Sequence, residues 1–219
     1  LSATLCLVVS IDGPRALHDT IRGNGAYESA LNTFARLRTL RRQHPFDLYA
    51  GMTVSGFNSG QVAATYRALA DDLAAIEGQS PLSPSEWNVN MAHRSHHYYR
   101  NPHLDLGFRP QAAKEIWRFV KTQAGRHTAR NHIEHVYHRL ALRFARTGKC
   151  PIQCRAGDVS CYLAPDGEVY PCHIDGQALG NLRDDYEMDL ERLATSRPFC
   201  DARRRIRRGE CAQCWTPCG

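Results

Sequence analysis

The stretch CYLAPDGEVYPC, Cys161 to Cys172, sets two thiols at the ends of a segment that reads as a β-hairpin. Its turn, Pro165-Asp166-Gly167, has the residues that chain reversal favours and needs no ligand to form. A second cluster, CAQCWTPC, runs from Cys211 to Cys218. The chain of 219 residues holds nine cysteines, and eight of them fall between Cys150 and Cys218. An odd count fits a disulfide framework poorly. No basic segment, apolar run and small-residue cleavage site open the sequence, so a reducing, cytoplasmic compartment is expected, where such a cluster points to a metal site. A C-x-x-C turn brings two sulfurs together locally, and antiparallel hairpin strands can bring in others. Four thiolates suit an iron–sulfur cluster or structural zinc, and at this level both readings stay open.

Composition supports a soluble globular chain, with 42% hydrophobic and 23% charged residues. The longest apolar run, LCLVV from Leu5, is far short of a membrane span. The change of composition near Lys149 marks an expected boundary between domains 1–148 and 149–219. Before it, strands and helices alternate. TLCLVVSID resembles a strand buried on both faces, and a turn follows at Gly13-Pro14. Ala30, Leu31, Phe34, Leu37 and Leu40 recur at helical spacing, DLYAGMTVS reads as a strand, and Gln61–Glu77 as a helix presenting Val62, Tyr66, Leu69, Leu73 and Ile76. EWNVNM is a third strand, with helices over Pro110–Gln123 and His132–Thr147. Repeated strand–helix units predict an α/β fold with a parallel sheet or part of a βα barrel, polar residues at the C-terminal strand ends being available for function.

VVSIDGPRALHDTIRG, Val8 to Gly23, followed by a helix and AGMTVSGFNSGQV, Ala50 to Val62, resembles the second half of the radical S-adenosylmethionine (radical SAM) barrel. Residues 150–218 resemble the auxiliary-cluster domain of that superfamily, called SPASM or, when shortened, twitch. Its pattern is met by Cys154, Gly167 and Cys172, then by Cys211 and Cys214. The resemblance implies the C-terminal half of a partial (β/α)6 barrel followed by a small cysteine-rich α+β domain. It favours an auxiliary [4Fe-4S] cluster on Cys154, Cys172, Cys211 and Cys214, with Cys218 and Cys161 as substitutes or members of an incomplete second cluster. The C-x-x-x-C-x-x-C motif that cleaves S-adenosylmethionine is absent and residue 1 is leucine, so the chain is expected to be the C-terminal portion of a longer, maturase-like enzyme, inactive alone. In the intact enzyme a radical derived from S-adenosylmethionine would attack a peptide or small-molecule substrate. The resemblance also assigns Ser10, Asp12 and Arg22, with Asn58, to S-adenosylmethionine. Their chemistry suits ribose hydroxyls and a carboxylate. A strand-ending turn and a surface cation are the plain alternatives. No general base or nucleophile is legible.

Three other features remain. His93, His96, His97, Tyr98, Tyr99 and Arg100 follow the WNVNM strand, either as substrate contacts beside inward-pointing Asn88 and Asn90 or as an irregular polar loop. His132, His135 and His138 are spread around a helix and do not make H-E-x-x-H. Arg203–Arg208, RRRIRR, supplies much of the +6 net charge. It lacks the interleaved aromatics of a nucleic-acid site, so a solvated helix face is expected, neutralisation of a cluster's charge being a second role. Cys6, in an apolar strand, reads as core. The competing class is a non-enzymatic module with a structural zinc held by four cysteines.

Overall fold

The computed structural model describes residues 5–104, 106, 110–122 and 129–216, without the side chains at 110, 122, 129–132 and 134. Cys218 lies outside the described residues. The fold is mixed α/β and divides into two compact units: Leu1–Ala92 with Leu106–Arg139, and His93–Asp105 with Leu140–Gly219.

In the first unit, β1 (Cys6–Ser10), β2 (Asp47–Val54) and β3 (Trp87–Met91) form a parallel sheet in the order β1-β2-β3. The register sets Ser10 beside Gly51 and Val54 beside Met91. Parallel neighbours need crossovers. Here α1 (Arg15–Arg22) and α2 (Ala26–Leu40) link β1 to β2, and α3 (Val62–Ala74) with a 3-10 turn (Pro84–Glu86) links β2 to β3. Leu48, Ala50, Met52 and Val54 are buried at every second position of β2, and Trp87, Val89 and Met91 do the same in β3. Asn88 and Asn90 take the other, half-buried face. Tyr27, Leu31, Phe34 and Ala35 from α2, with Val62, Leu69 and Leu73 from α3, complete this core.

Two sequence expectations change. β1 has one neighbouring strand among the described residues, and its apolar run is not buried on both faces. Leu5 and Val8 are 58% and 55% exposed, and Cys6 is exposed rather than core. The segment after Gly13-Pro14 is not a bare turn: α1 starts at once, and Asp19 within it accepts hydrogen bonds from the Gly25 and Tyr27 N–H groups, satisfying otherwise orphaned donors at the start of α2.

Ionic contacts brace the rest of the unit. Buried Glu86 receives Arg38 (2.7 Å), Arg41 (2.7 Å) and the Ser83 N–H (3.1 Å). From α4 (Pro110–Thr122), Glu115 accepts the N–H groups of Gly60 (2.6 Å) and Val62 (2.7 Å) at the start of α3. α5 (Ala129–Thr147) carries His135, edge-on to Trp117, and His138, buried. His132 lies in this helix but its side chain is outside the described set. No helix among the described residues is long and apolar enough to cross a membrane.

The second unit is built on a small antiparallel sheet of β4 (Tyr162–Leu163), β5 (Glu168–Tyr170) and β6 (Gly180–Asn181), followed by α6 (Leu190–Thr195) and α7 (Arg197–Arg207). Asp189 and Ser196 cap the two helices through their side chains. Val169, Leu179, Leu182, Tyr186, Leu193, Phe199 and Ala202 form its core. Burial of that many apolar side chains, each worth roughly 1.5–3 kcal/mol, gives this unit a hydrophobic driving force independent of any metal.

Candidate metal centre

The hairpin of the opening motif is present, with Tyr162 opposite Tyr170 and Leu163 opposite Val169. Its turn closes through the Gly167 N–H on the Ala164 carbonyl (3.0 Å) and the Ala164 N–H on the Glu168 carbonyl (2.8 Å). Gly167 has φ +95°, and a Cβ there would lie 2.5 Å from Asn181 Oδ1. Only glycine fits both the angle and the approach. Because the strands are antiparallel, Cys161 and Cys172 emerge at the same open end.

Backbone amides then meet the sulfurs. Cys172 Sγ accepts the N–H groups of Ile174 (3.4 Å) and Asp175 (3.3 Å), and Cys154 Sγ accepts that of Ala156 (3.4 Å). Amide donors of this kind favour the thiolate, the form that ligates metals. At the C-terminal pair, Gln213 takes φ +44° and uses its side chain three ways. Its Nε2 donates to the Gly209 carbonyl (2.7 Å) and lies 3.6 Å from Cys211 Sγ, while its Oε1 accepts the Cys150 N–H (2.8 Å).

Cys154, Cys161, Cys172 and Cys214 border one cavity of about 280 Å³, walled also by Tyr98, Tyr99, Tyr162 and His173. A neighbouring cavity of about 530 Å³ is bordered by Cys150, Cys154 and Cys211, with Lys149, Arg207 and Arg208 at its edge. Cys154 faces both. The structure thus brings Cys154, Cys172 and Cys214 of the expected set together with Cys161, and sets Cys211 on the adjoining cavity. The described cysteines are all free thiols. Burial pushes the Cys214 thiol up to about 12, and the charges of Cys172, Cys154, Cys150 and Cys211 add to the shift. Burial likewise raises Cys172, against the opposing amides of Asp175 and Ile174. Crowded, partly buried thiols that repel one another as thiolates gain most from a cation among them.

Among the described residues, no three His, Cys, Asp or Glu side chains form a group arranged around one metal ion. A single zinc needs its four thiolates at about 2.3 Å from one point. An iron–sulfur cluster takes one thiolate at each of several irons, so it suits thiols distributed around a volume. The four thiols that border one cavity offer the soft sulfur donors that an iron–sulfur cluster or a zinc ion takes.

The arginine run is a largely solvated face, with Arg204, Arg207 and Arg208 exposed, but it also makes specific contacts. Arg203 donates to the Gly157 carbonyl (2.6 Å) and lies over Phe199, Arg205 reaches Asp175 (2.7 Å), and Arg207 reaches Asp158 (2.7 Å). Alternate arginines of α7 therefore tie down the segments that follow Cys154 and Cys172. Arg204 does point outward, to Asp201.

In the first unit the other assigned residues form one knot. Ser10 ends β1, half-buried. Buried Asp12 accepts the Thr53 N–H on Oδ1 (2.9 Å) and Arg22 on Oδ2 (2.5 Å), while its own N–H donates to His18 Nδ1 (2.9 Å). Asn58 donates to the Asp12 and Thr53 carbonyls and accepts the Ser55 N–H, so its amide is fully engaged. Arg22, with 43% of its side chain exposed, has the freest polar group of the set beyond Ser10.

Sequence reasoning did not anticipate His97 or the tyrosine wall as neighbours of the thiols. The aromatic density of HHYYR was visible, but nothing local links it to Cys172.

Residues 154–215 match the family model SPASM, described as an iron–sulfur cluster-binding domain. No curated protein matches the chain. Two solved structures show similarity to the chain: "Native anSMEcpe with bound AdoMet" (16% identity, TM-score 0.47, covering 91% of this chain and 52% of that one) and a histidine-tagged anSMEcpe, also with bound AdoMet (16%, 0.44, 89% and 49%). The chain spans about half the length of these solved chains. The thiols around the two cavities lie on the segment that matches this model or, for Cys150, just before it.

Proposed function

We propose that the chain is the C-terminal part of a maturase-like radical SAM enzyme. Residues 1–148 supply half of a (β/α)6 barrel, and residues 149–219 a SPASM or twitch module that holds an auxiliary [4Fe-4S] cluster. The observation that carries this is the gathering of Cys154, Cys161, Cys172 and Cys214 around one cavity within the SPASM segment. These four are the ligands we favour, with Cys211 on the adjoining cavity and Cys218 as alternates. When bound, the cluster supplies one-electron chemistry. The chain's own groups do the rest: amides of Ala156, Ile174 and Asp175 hold sulfur charge, and Tyr98, Tyr99 and Tyr162 limit water at the cavity mouth. On the barrel side, Ser10 and Arg22 contact S-adenosylmethionine, while Asp12 and Asn58 fix the strand ends that present them. The substrate class is a peptide or small molecule, and the compartment cytoplasmic.

Anaerobic reconstitution with iron and sulfide tests the cluster. The expected product is a brown chain with on the order of four irons, reduced by Cys172→Ala and Cys161→Ala. A colourless chain holding one zinc would overturn the proposal in favour of a structural zinc module.

A further inference from the structure

We propose that His97 is a positioning residue for Cys172, so that the loop over residues 93–101, remote in sequence from the cysteines, belongs to the cluster-holding apparatus. The inference rests on the cluster-binding reading above for its metal arm, and on hydrogen-bond geometry alone for the rest.

His97 lies in the same compact unit as the thiols. Its Nε2 is 3.0 Å from the carbonyl oxygen of Cys172. A carbonyl can only accept, so the proton sits on Nε2 and Nδ1 is left as an acceptor. That role is filled: Ser95 Oγ is 3.3 Å from Nδ1 and itself accepts the Tyr98 N–H at 3.0 Å. The polar chain therefore runs in one direction, from the Tyr98 amide through the Ser95 hydroxyl and the imidazole to the Cys172 carbonyl. It fixes the tautomer and the ring plane together.

Packing fixes the rest. The imidazole stacks on Tyr170, two residues before Cys172, with centroids 4.0 Å apart and planes 17° apart. Tyr162, paired with Tyr170 across the hairpin, is 5.6 Å from the same ring. Ser95, which anchors the histidine, is buried, and its N–H donates to Asn101 Oδ1 (3.0 Å) while Asn101 Nδ2 donates to the His93 carbonyl (3.0 Å). The loop is thus closed on itself before it touches the cysteine.

The consequence falls on the sulfur. Cys172 is held at its carbonyl by His97 and at its Sγ by the amides of Ile174 and Asp175, and Asp175 is held by Arg205. Without the imidazole, the carbonyl loses its partner and the 172–175 turn loses a hydrogen bond that ties it to the 93–101 loop. Groups that orient metal ligands from behind commonly matter ~10–100-fold in metal affinity.

The test uses the full chain as wild type, His97→Ala and His97→Gln, the last keeping an N–H donor of similar reach. In metal-free protein, hydrogen exchange at the Ile174 and Asp175 amides should quicken about tenfold in His97→Ala and return toward wild type in His97→Gln, while the β2 amides stay unchanged. In iron–sulfide-reconstituted protein, His97→Ala should lose iron to a chelator ~10–100-fold faster and show an altered electron paramagnetic resonance signal after reduction. Unchanged exchange at both amides in a folded His97→Ala chain overturns the inference, as does failure of His97→Gln to restore it. A wild-type chain that takes up no iron sinks the cluster reading instead, and the exchange arm still decides the clamp.

Discussion

Gly167→Ala probes the turn that delivers Cys172. The substitution has two separable costs. At φ +95° a non-glycine residue is strained by about 1–3 kcal/mol. The new methyl would also lie 2.5 Å from Asn181 Oδ1, and this side chain cannot simply swing away. Asn181 Nδ2 donates to the Asp166 carbonyl (3.1 Å), and Oδ1 accepts the Arg183 N–H (3.0 Å). Losing those two bonds adds about 0.5–1.5 kcal/mol each. The expected destabilisation is about 2–6 kcal/mol, read from chemical denaturation of the metal-free chain followed by a probe of the second unit. Gly157→Ala is the control within that unit. Its φ is +78°, but its added Cβ would meet the flexible Arg203 Cγ at 3.3 Å, so strain alone should appear, about 1–2 kcal/mol. Asn181→Ala in the Gly167→Ala background should cost little more, because the same two bonds are already lost, giving a favourable coupling of about 1–3 kcal/mol. Equal costs for the two alanines, or no coupling with Asn181, would refute the close-approach argument and leave only the backbone angle.

Two predictions concern the first unit. Glu86→Gln should destabilise it by about 2–4 kcal/mol, because it leaves Arg38 buried without its counter-charge; Arg41, 35% exposed, lessens the loss. Burial alone would raise the Glu86 carboxyl, yet the Arg38 hydrogen bond, the Ser83 N–H and the remaining arginine contacts hold it below its usual range. Its stabilisation is therefore full above the ordinary carboxylate range and is lost as pH falls through the lowered value, so acid titration should show a late loss in wild type that Glu86→Gln lacks. His138 has the opposite signature: burial, then the charge of His135, lowers it to about 4. The unfolded chain takes the proton first, so stability should decline by about 3 kcal/mol from about pH 6.5 to about pH 4 and then level off. Since His138 Nδ1 has no hydrogen-bond partner, His138→Met should remove this slope and cost less than about 1.5 kcal/mol at pH 7; an unchanged slope would contradict the assignment.

The alternation of strands and helices in the first unit was readable because its signals are local. Leu31 with Phe34, and Val62 with Leu69 and Leu73, follow helical periods that survive in the fold. The exposure of Val8 was not readable, since it depends on what packs over that face of the sheet and not on its own sequence. The α1 helix was hidden by Gly13-Pro14, a pair that reads as a turn although proline also suits a helix start. At the thiols, the hairpin and Gly167 were legible from turn chemistry, but the company each sulfur keeps was not. Cys161 shares a cavity with Cys214, far along the sequence, and His97 meets Cys172 from 75 positions away. Such pairings are decided by closure of the chain in three dimensions. The arginine run was legible as a solvated face, but its partners were not, because Asp158 and Asp175 lie on other loops.

Those alternate arginines have a consequence for how the centre assembles. Arg203 and Arg207 hold the segment after Cys154, and Arg205 the segment after Cys172, all from one helix rooted in the apolar core by Phe199, Ala202 and Ile206. A splint of this kind keeps the two thiol-bearing loops at a fixed spacing before any metal arrives. Loop ordering is then settled during folding, so a metal centre held there would be lost and rebuilt on a standing frame, unlike a zinc finger that unravels with its ion.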